Sequence, residues 1–159
     1  SGKKAAAVLT LLGDGGKGWL AVALAQHFAP DYGLGDEANI VIAAVALAVF
    51  LGHVFPVFLR FKGGKGVATA LGVLLALNLW VGLSVMATWL VVVAIWRISS
   101  LSALAAAAFA PVYAVIFLGF EINTLAVFIM SLLLIWRHKS NIANLMAGRE
   151  ARIGKKSAP

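Results

Sequence analysis

VATALGVLLALNLWVGLSVMATWLVVVAIW, residues 67–96, is thirty residues without a charge, and how often it crosses a membrane decides the topology of everything around it. As one helix it would measure about 45 Å, too long for a hydrocarbon core near 30 Å without strong tilt. It is also short for two full spans. The flanking charges decide between them. A single helix would put Lys65 and Arg97 on opposite sides of the membrane, whereas a hairpin breaking near Asn78-Leu79-Trp80 returns both to one side. A hairpin is therefore expected.

Outward from that block, apolar stretches run from Ala5 to Ala29, Ile40 to Phe58, Leu101 to Phe120 and Asn123 to Trp136. The chain of 159 residues is 62% hydrophobic and 12% charged, about half the charge of a soluble domain, so it reads as an all-α, polytopic integral membrane protein. Six transmembrane helices are expected, with room for a single membrane domain over 1–159 and none for a soluble one. A net charge of +7 could point to nucleic acid, but Lys and Arg gather at 3–4, 60–65, 97, 137–139 and 149–156, always at span ends. Asp31, Asp36, Glu37 and Glu121 occupy the alternate loops, which contain no Lys or Arg. This positive-inside pattern places both termini in the cytoplasm, the loops near 30–38 and 119–123 outside, and no nucleic acid among the partners. Residues 149–159 read as a basic cytoplasmic tail facing solvent or lipid headgroups. Trp80, Trp96 and Trp136 fall at span ends as interfacial anchors, and Ala103 with Ala105 to Ala108 allow close helix approach. With no cysteine and three scattered histidines, neither thiolate chemistry nor a metal site nor any cofactor is implied. The first apolar stretch is interrupted by Asp14 and Lys17 and has no cleavage pattern, so it does not read as a secretory leader.

The chemistry concentrates where spans meet the cytoplasm. Gly63-Gly64-Lys65-Gly66 precedes an apolar helix starting near Val67, so unpaired helix N–H groups and an ammonium could converge on a phosphate. It is not a Walker A loop, because Lys65 is followed by Gly66 in an all-helical setting. Asp14 and Lys17 lie three apart inside a span and read as a structural ion pair. His53 could bind substrate or cap neighbouring backbone groups, and both readings stand. If the last helix continues past Trp136, His138 and Asn141 share a face, offering a base or proton donor and an amide that can orient a hydroxyl. Glu150 is expected to pair with a nearby cation as a structural element. His27 has Asp31 four residues on, in the acidic outer loop, and neither His53 nor His138 has such a partner. Activation of a hydroxyl by a His–Asp pair is therefore unsupported, and the chemistry should use a substrate that arrives already activated.

Leu51-Gly-His-Val-Phe-Pro through Thr69, Gly13-Asp14 with Lys17-Gly18, Ser99-Ser100-Leu101, Arg137-His138 with Asn141-Ile142, and Gly148 to Glu150 together resemble the bacterial PlsY family. These are acyl-phosphate:glycerol-3-phosphate acyltransferases. The resemblance runs nearly the whole length and implies transfer of a fatty acyl group from acyl phosphate to the 1-hydroxyl of glycerol 3-phosphate. The products would be lysophosphatidic acid and phosphate, at the entry to phospholipid synthesis in the inner membrane. It further implies that Lys65, His138 and Asn141 bind and position glycerol 3-phosphate, with Ser100 nearby, while Gly63, Gly64 and Gly66 shape the phosphate loop. Family members carry seven spans, the first preceding a Ser-Gly-Asn-x-Gly-Ala-Thr-Asn motif that would hold the donor phosphate. The present chain starts downstream of both, so it reads as an N-terminally incomplete domain with six spans. It is read as a monomer among membrane lipids. A carrier or channel for organic phosphates is the competing class, but it would place ionisable residues on both sides of the midplane, and here they crowd one face.

Overall fold

The computed structural model describes residues 2–29, 37–61 and 63–154. Asp31 and Asp36 of the expected outer loop, the loop cation Lys62 and the end of the basic tail, 155–159, lie outside the described residues. Among those described there are seven α-helices and no strand: α1 Gly2–Phe28, α2 Ala38–Val54, α3 Val67–Leu77, α4 Leu79–Trp96, α5 Ser99–Leu118, α6 Ile122–Arg137 and α7 Lys139–Met146. A 3₁₀ turn, Val57–Leu59, follows Pro56 after α2, so the α-helix itself ends at Val54 and the turn carries the apolar stretch on to Leu59.

The uncharged block breaks at Asn78, as the hairpin requires. Asn78 is extended, and its Oδ1 accepts from the backbone N–H of Trp80 at 2.9 Å and of Val81 at 3.2 Å, which caps the new helix α4. The chain then doubles back. Gly82 of α4 lies so close to Leu75 of α3 that a Cβ there would run into the Leu75 backbone and side chain. The arms are unequal, however. At eleven residues α3 is only about 16 Å long, roughly half a hydrocarbon core. Four helical stretches are long and apolar enough to cross a membrane: Lys4–Phe28, Ala38–Leu59, Leu79–Trp96 and Ser99–Leu118. The bent pair α6 and α7 supplies a fifth. Length and apolarity thus support up to five spans, and α3, which begins at Val67 and is stopped by the break at Asn78, is the sixth apolar helix of the expected count but too short to cross by itself.

Helix α1 crosses α3 on glycine. A Cβ on Gly72 would strike the Gly15 carbonyl, and one on Gly18 would strike Thr69. In lipid, where apolar burial gives no drive for helix association, such close backbone approach is the main source of contact. The core is formed by Val22, Phe50, Val73, Val81, Ala114 and Val127, all buried, while Leu9, Ile95, Ile116 and Phe120 face outward as a lipid-exposed belt. Trp80, Trp96 and Trp136 are half-exposed at helix ends. Helix α6 runs one residue past Trp136, to Arg137, so the unbroken helix on which a shared face of His138 and Asn141 depended is not formed. The chain bends by 57° at His138, separating α6 from the short α7.

Candidate active site

Helices α3 to α6 enclose a cavity of about 740 Å³. Its depth is apolar, walled by Leu74, Val85, Trp89, Ala107, Met130 and Leu134. Its polar lining comes mostly from helix ends on one side: Lys65 just before α3, Ser99 and Ser100 opening α5, His138 just after α6, Asn141 in α7 and Glu150 beyond it. The antiparallel order of α3 to α6 brings these ends together. A ligand with a charged head and a long apolar tail matches that polarity.

Four polar side chains form one chain of hydrogen bonds. The Lys65 ammonium donates to Asn141 Oδ1 at 2.7 Å, Asn141 Nδ2 donates to Glu150 Oε1 at 2.6 Å, and the Ser100 hydroxyl donates to the same Oε1 at 2.5 Å. The donor roles fix the Asn141 amide orientation, since an ammonium cannot accept. Glu150 therefore meets a hydroxyl and an amide rather than the cation expected for it. These donors, Ser100 first and then Asn141, hold its carboxyl below the usual carboxylate range. An ammonium carries three donors and Lys65 spends one on a neutral amide, so its charge stays available to an anion.

His138 is 2% exposed and lines the cavity. Its Nδ1 lies 2.8 Å from the Leu134 carbonyl, which can only accept, so Nδ1 carries the proton. In the neutral ring Nε2 is then a lone-pair acceptor, suited to a substrate hydroxyl. Despite the 57° bend, the His138 carbonyl still accepts from Ile142 N–H at 2.9 Å, which carries the turn into α7 and brings Asn141 to the same cavity.

None of the three loop glycines lines the cavity; Lys65 is the loop residue that does. A Cβ on Gly63 would strike the His53 and Val54 carbonyls, and one on Gly64 the His53 imidazole. Gly66 caps α3 at φ 85° against the Phe50 ring, a backbone conformation that disfavours other residues. Arg137 clamps the far side, donating to Gly63 O at 2.9 Å and to Gly64 O at 3.4 Å, with its guanidinium 5.7 Å from the Phe55 ring centre. His53 stands outside the cavity lining and meets the Asp14–Lys17 pair instead. Lys17 Nζ is 2.6 Å from Asp14 Oδ1 and 2.8 Å from His53 Nδ1.

Two features escaped the sequence reading. Arg137 acts on a loop some 74 residues away, a distance at which no local pattern signals a partner. The segment read as the start of a free basic tail is tied down at Glu150 and again where Ile153 N–H donates to Arg97 O at 2.7 Å, so Ala151, Arg152 and Ile153 border the cavity.

The sequence model described as glycerol-3-phosphate acyltransferase matches residues 1–148. Glycerol-3-phosphate acyltransferase of Nitrosospira multiformis is 69% identical over 157 residues, covering 99% of this chain and 76% of that protein. The Nitrosomonas eutropha protein of the same name is 59% identical, covering 99% and 77%. The crystal structure of PlsY, an integral membrane glycerol 3-phosphate acyltransferase in its glycerol 3-phosphate form, superposes with a TM-score of 0.81 at 35% identity, covering 92% of this chain and 70% of that one. Agreement of sequence and fold over nearly the whole length makes this chain a member of the glycerol-3-phosphate acyltransferase family.

Proposed function

We propose that the chain transfers a fatty acyl group from acyl phosphate to the 1-hydroxyl of glycerol 3-phosphate at the cytoplasmic face of the bacterial inner membrane. The observation that carries this reading is the polarity of the cavity, with a hydrogen-bonded Lys65–Asn141–Glu150–Ser100 chain and His138 at one end of an apolar chamber. A phosphorylated polyol fits the first and a fatty acyl chain the second. A carrier would need ionisable groups along a path across the bilayer, whereas these cluster at one end.

In the proposed site Lys65 neutralises the acceptor phosphate, Asn141 and Ser100 are held by Glu150, and His138 Nε2 accepts from the acceptor's 2-hydroxyl, which leaves the proton of the attacking 1-hydroxyl for the departing phosphate. The hydroxyl oxygen bonds to the acyl carbon, the bond from that carbon to the phosphate oxygen breaks, and the hydroxyl proton passes to the departing phosphate. Because the mixed anhydride is already activated, catalysis consists mainly of alignment and charge neutralisation. His138 is a positioning group in this scheme.

Purified full-length protein in lipid nanodiscs, given palmitoyl phosphate and glycerol 3-phosphate, should release phosphate and form lysophosphatidate in equal amounts. Phosphate release that ignores glycerol 3-phosphate would refute the reading. His138→Gln should keep measurable turnover while His138→Ala loses more. Equal near-complete loss in both, with a histidine-like pH limb seen only in the parent, would make His138 the base instead.

A further inference from the structure

The Asp14–Lys17–His53 cluster lies outside the cavity, yet it is attached to the loop that carries Lys65. Lys17 can only donate, so His53 Nδ1 accepts and the ring proton sits on Nε2. The Asp14 carboxylate holds the same ammonium and also lies 3.4 Å from His53 Nδ1. With Nδ1 held by Lys17, whose ammonium Asp14 holds in turn, the ring presents its Nε2 edge to Gly64, and the three nearest atoms that a Cβ on Gly64 would meet all belong to this imidazole. From α6, Arg137 donates to the carbonyls of Gly63 and Gly64. The loop is thus pinned between two elements, and the next residue is Lys65. Its ammonium reaches Asn141, 76 residues on, at 2.7 Å, which requires the loop backbone to be set closely.

From this geometry we infer that His53 is a positioning residue for acyl transfer. Braced by Asp14 and Lys17, it fixes the backbone at Gly64 and thereby aims the Lys65 ammonium at the acceptor phosphate. The inference rests on the acyltransferase reading of the cavity. It makes His53 a residue that acts on glycerol 3-phosphate without touching it, and it gives the intramembrane ion pair a task in catalysis.

A size swap tests it in nanodiscs, with KM measured separately for glycerol 3-phosphate and palmitoyl phosphate. Gly64→Ala should raise the acceptor KM about tenfold or more, within the hundredfold that an ångström's misplacement can cost. His53→Ala should raise it less, with the donor KM within about twofold of the parent. The double variant should have a lower acceptor KM than Gly64→Ala alone, because removing the imidazole makes room for the new methyl. If His53→Ala does not fold, His53→Gln, which keeps an acceptor for Lys17 while narrowing the group at Gly64, carries the same comparison. Additive effects of the two changes, or equal rises in both KM values, would overturn the assignment. A parent that transfers no acyl group would instead remove the acyltransferase reading on which the inference rests.

Discussion

Lys65 joins a neutral partner, Asn141, to an unneutralised charge at the mouth of an apolar chamber. Replacing it with alanine removes one charge-assisted hydrogen bond to a phosphate, about 1.5–3 kcal/mol. The acceptor's kcat/KM should therefore fall roughly ten- to a hundred-fold, and unchanged acceptor kinetics would take Lys65 out of the site. Glu150 supplies a pH test of the same network. Its carboxyl is depressed by hydrogen bonds from Ser100 and Asn141, so the anchorage it provides is complete above the ordinary Glu value of about 4.3 and fades only as pH falls through a still lower one. Acidifying from neutrality to about pH 5 should leave acceptor KM unaffected by this group, whereas Glu150→Gln should raise it at every pH in that range. Lys65, His138 and Asn141 were legible because glycines around a lysine, and a histidine and amide one turn apart, are local patterns. Glu150's partners were not, since Ser100 lies 50 residues away and no local rule joins a helix start to a chain end.

The hairpin at Asn78 could be read from charge parity, because a misplaced Arg97 is costly in a membrane whatever the packing. The brevity of α3 follows from the same reading, since a block that starts at Val67 and breaks at Asn78 leaves eleven residues. The bend at His138 could not be read, because it depends on where α7 is held by a distant group, Glu150. The α1–α3 crossing was also missed, since Gly13, Gly15, Gly16 and Gly18 read alike in sequence while only some of them meet a neighbour. That difference makes a selective prediction. Gly72→Ala should destabilise the protein by about 1–3 kcal/mol through overpacking against the Gly15 carbonyl, seen as a lower Tm in detergent. Gly13→Ala and Gly16→Ala meet nothing within 4 Å among the described residues, and alanine is the better helix former, so neither should lower the Tm. A uniform response at all three positions would mean that α1 and α3 do not cross on their backbones.

Sidedness belongs to the molecule as a whole, because it is set by charges that no single helix owns. Every described polar group of the cavity mouth, and Arg97 and Arg137 beside it, sits at the end where α3 and α5 begin and α4 and α6 finish. Glu121 and Gly119 mark the opposite end, between α5 and α6. Cationic ends are retained in the cytoplasm, so the cavity should open there, toward water-soluble glycerol 3-phosphate. The chain contains no cysteine, so single cysteines can be introduced without a background. In intact cells a membrane-impermeant maleimide should label Glu121→Cys and spare Arg97→Cys and Ser140→Cys until the membrane is opened. The Arg97 position carries the decisive comparison. Were α3 and α4 one continuous span, Lys65 and Arg97 would lie on opposite sides, and external labelling at position 97 would exclude both the hairpin and a single-sided active site.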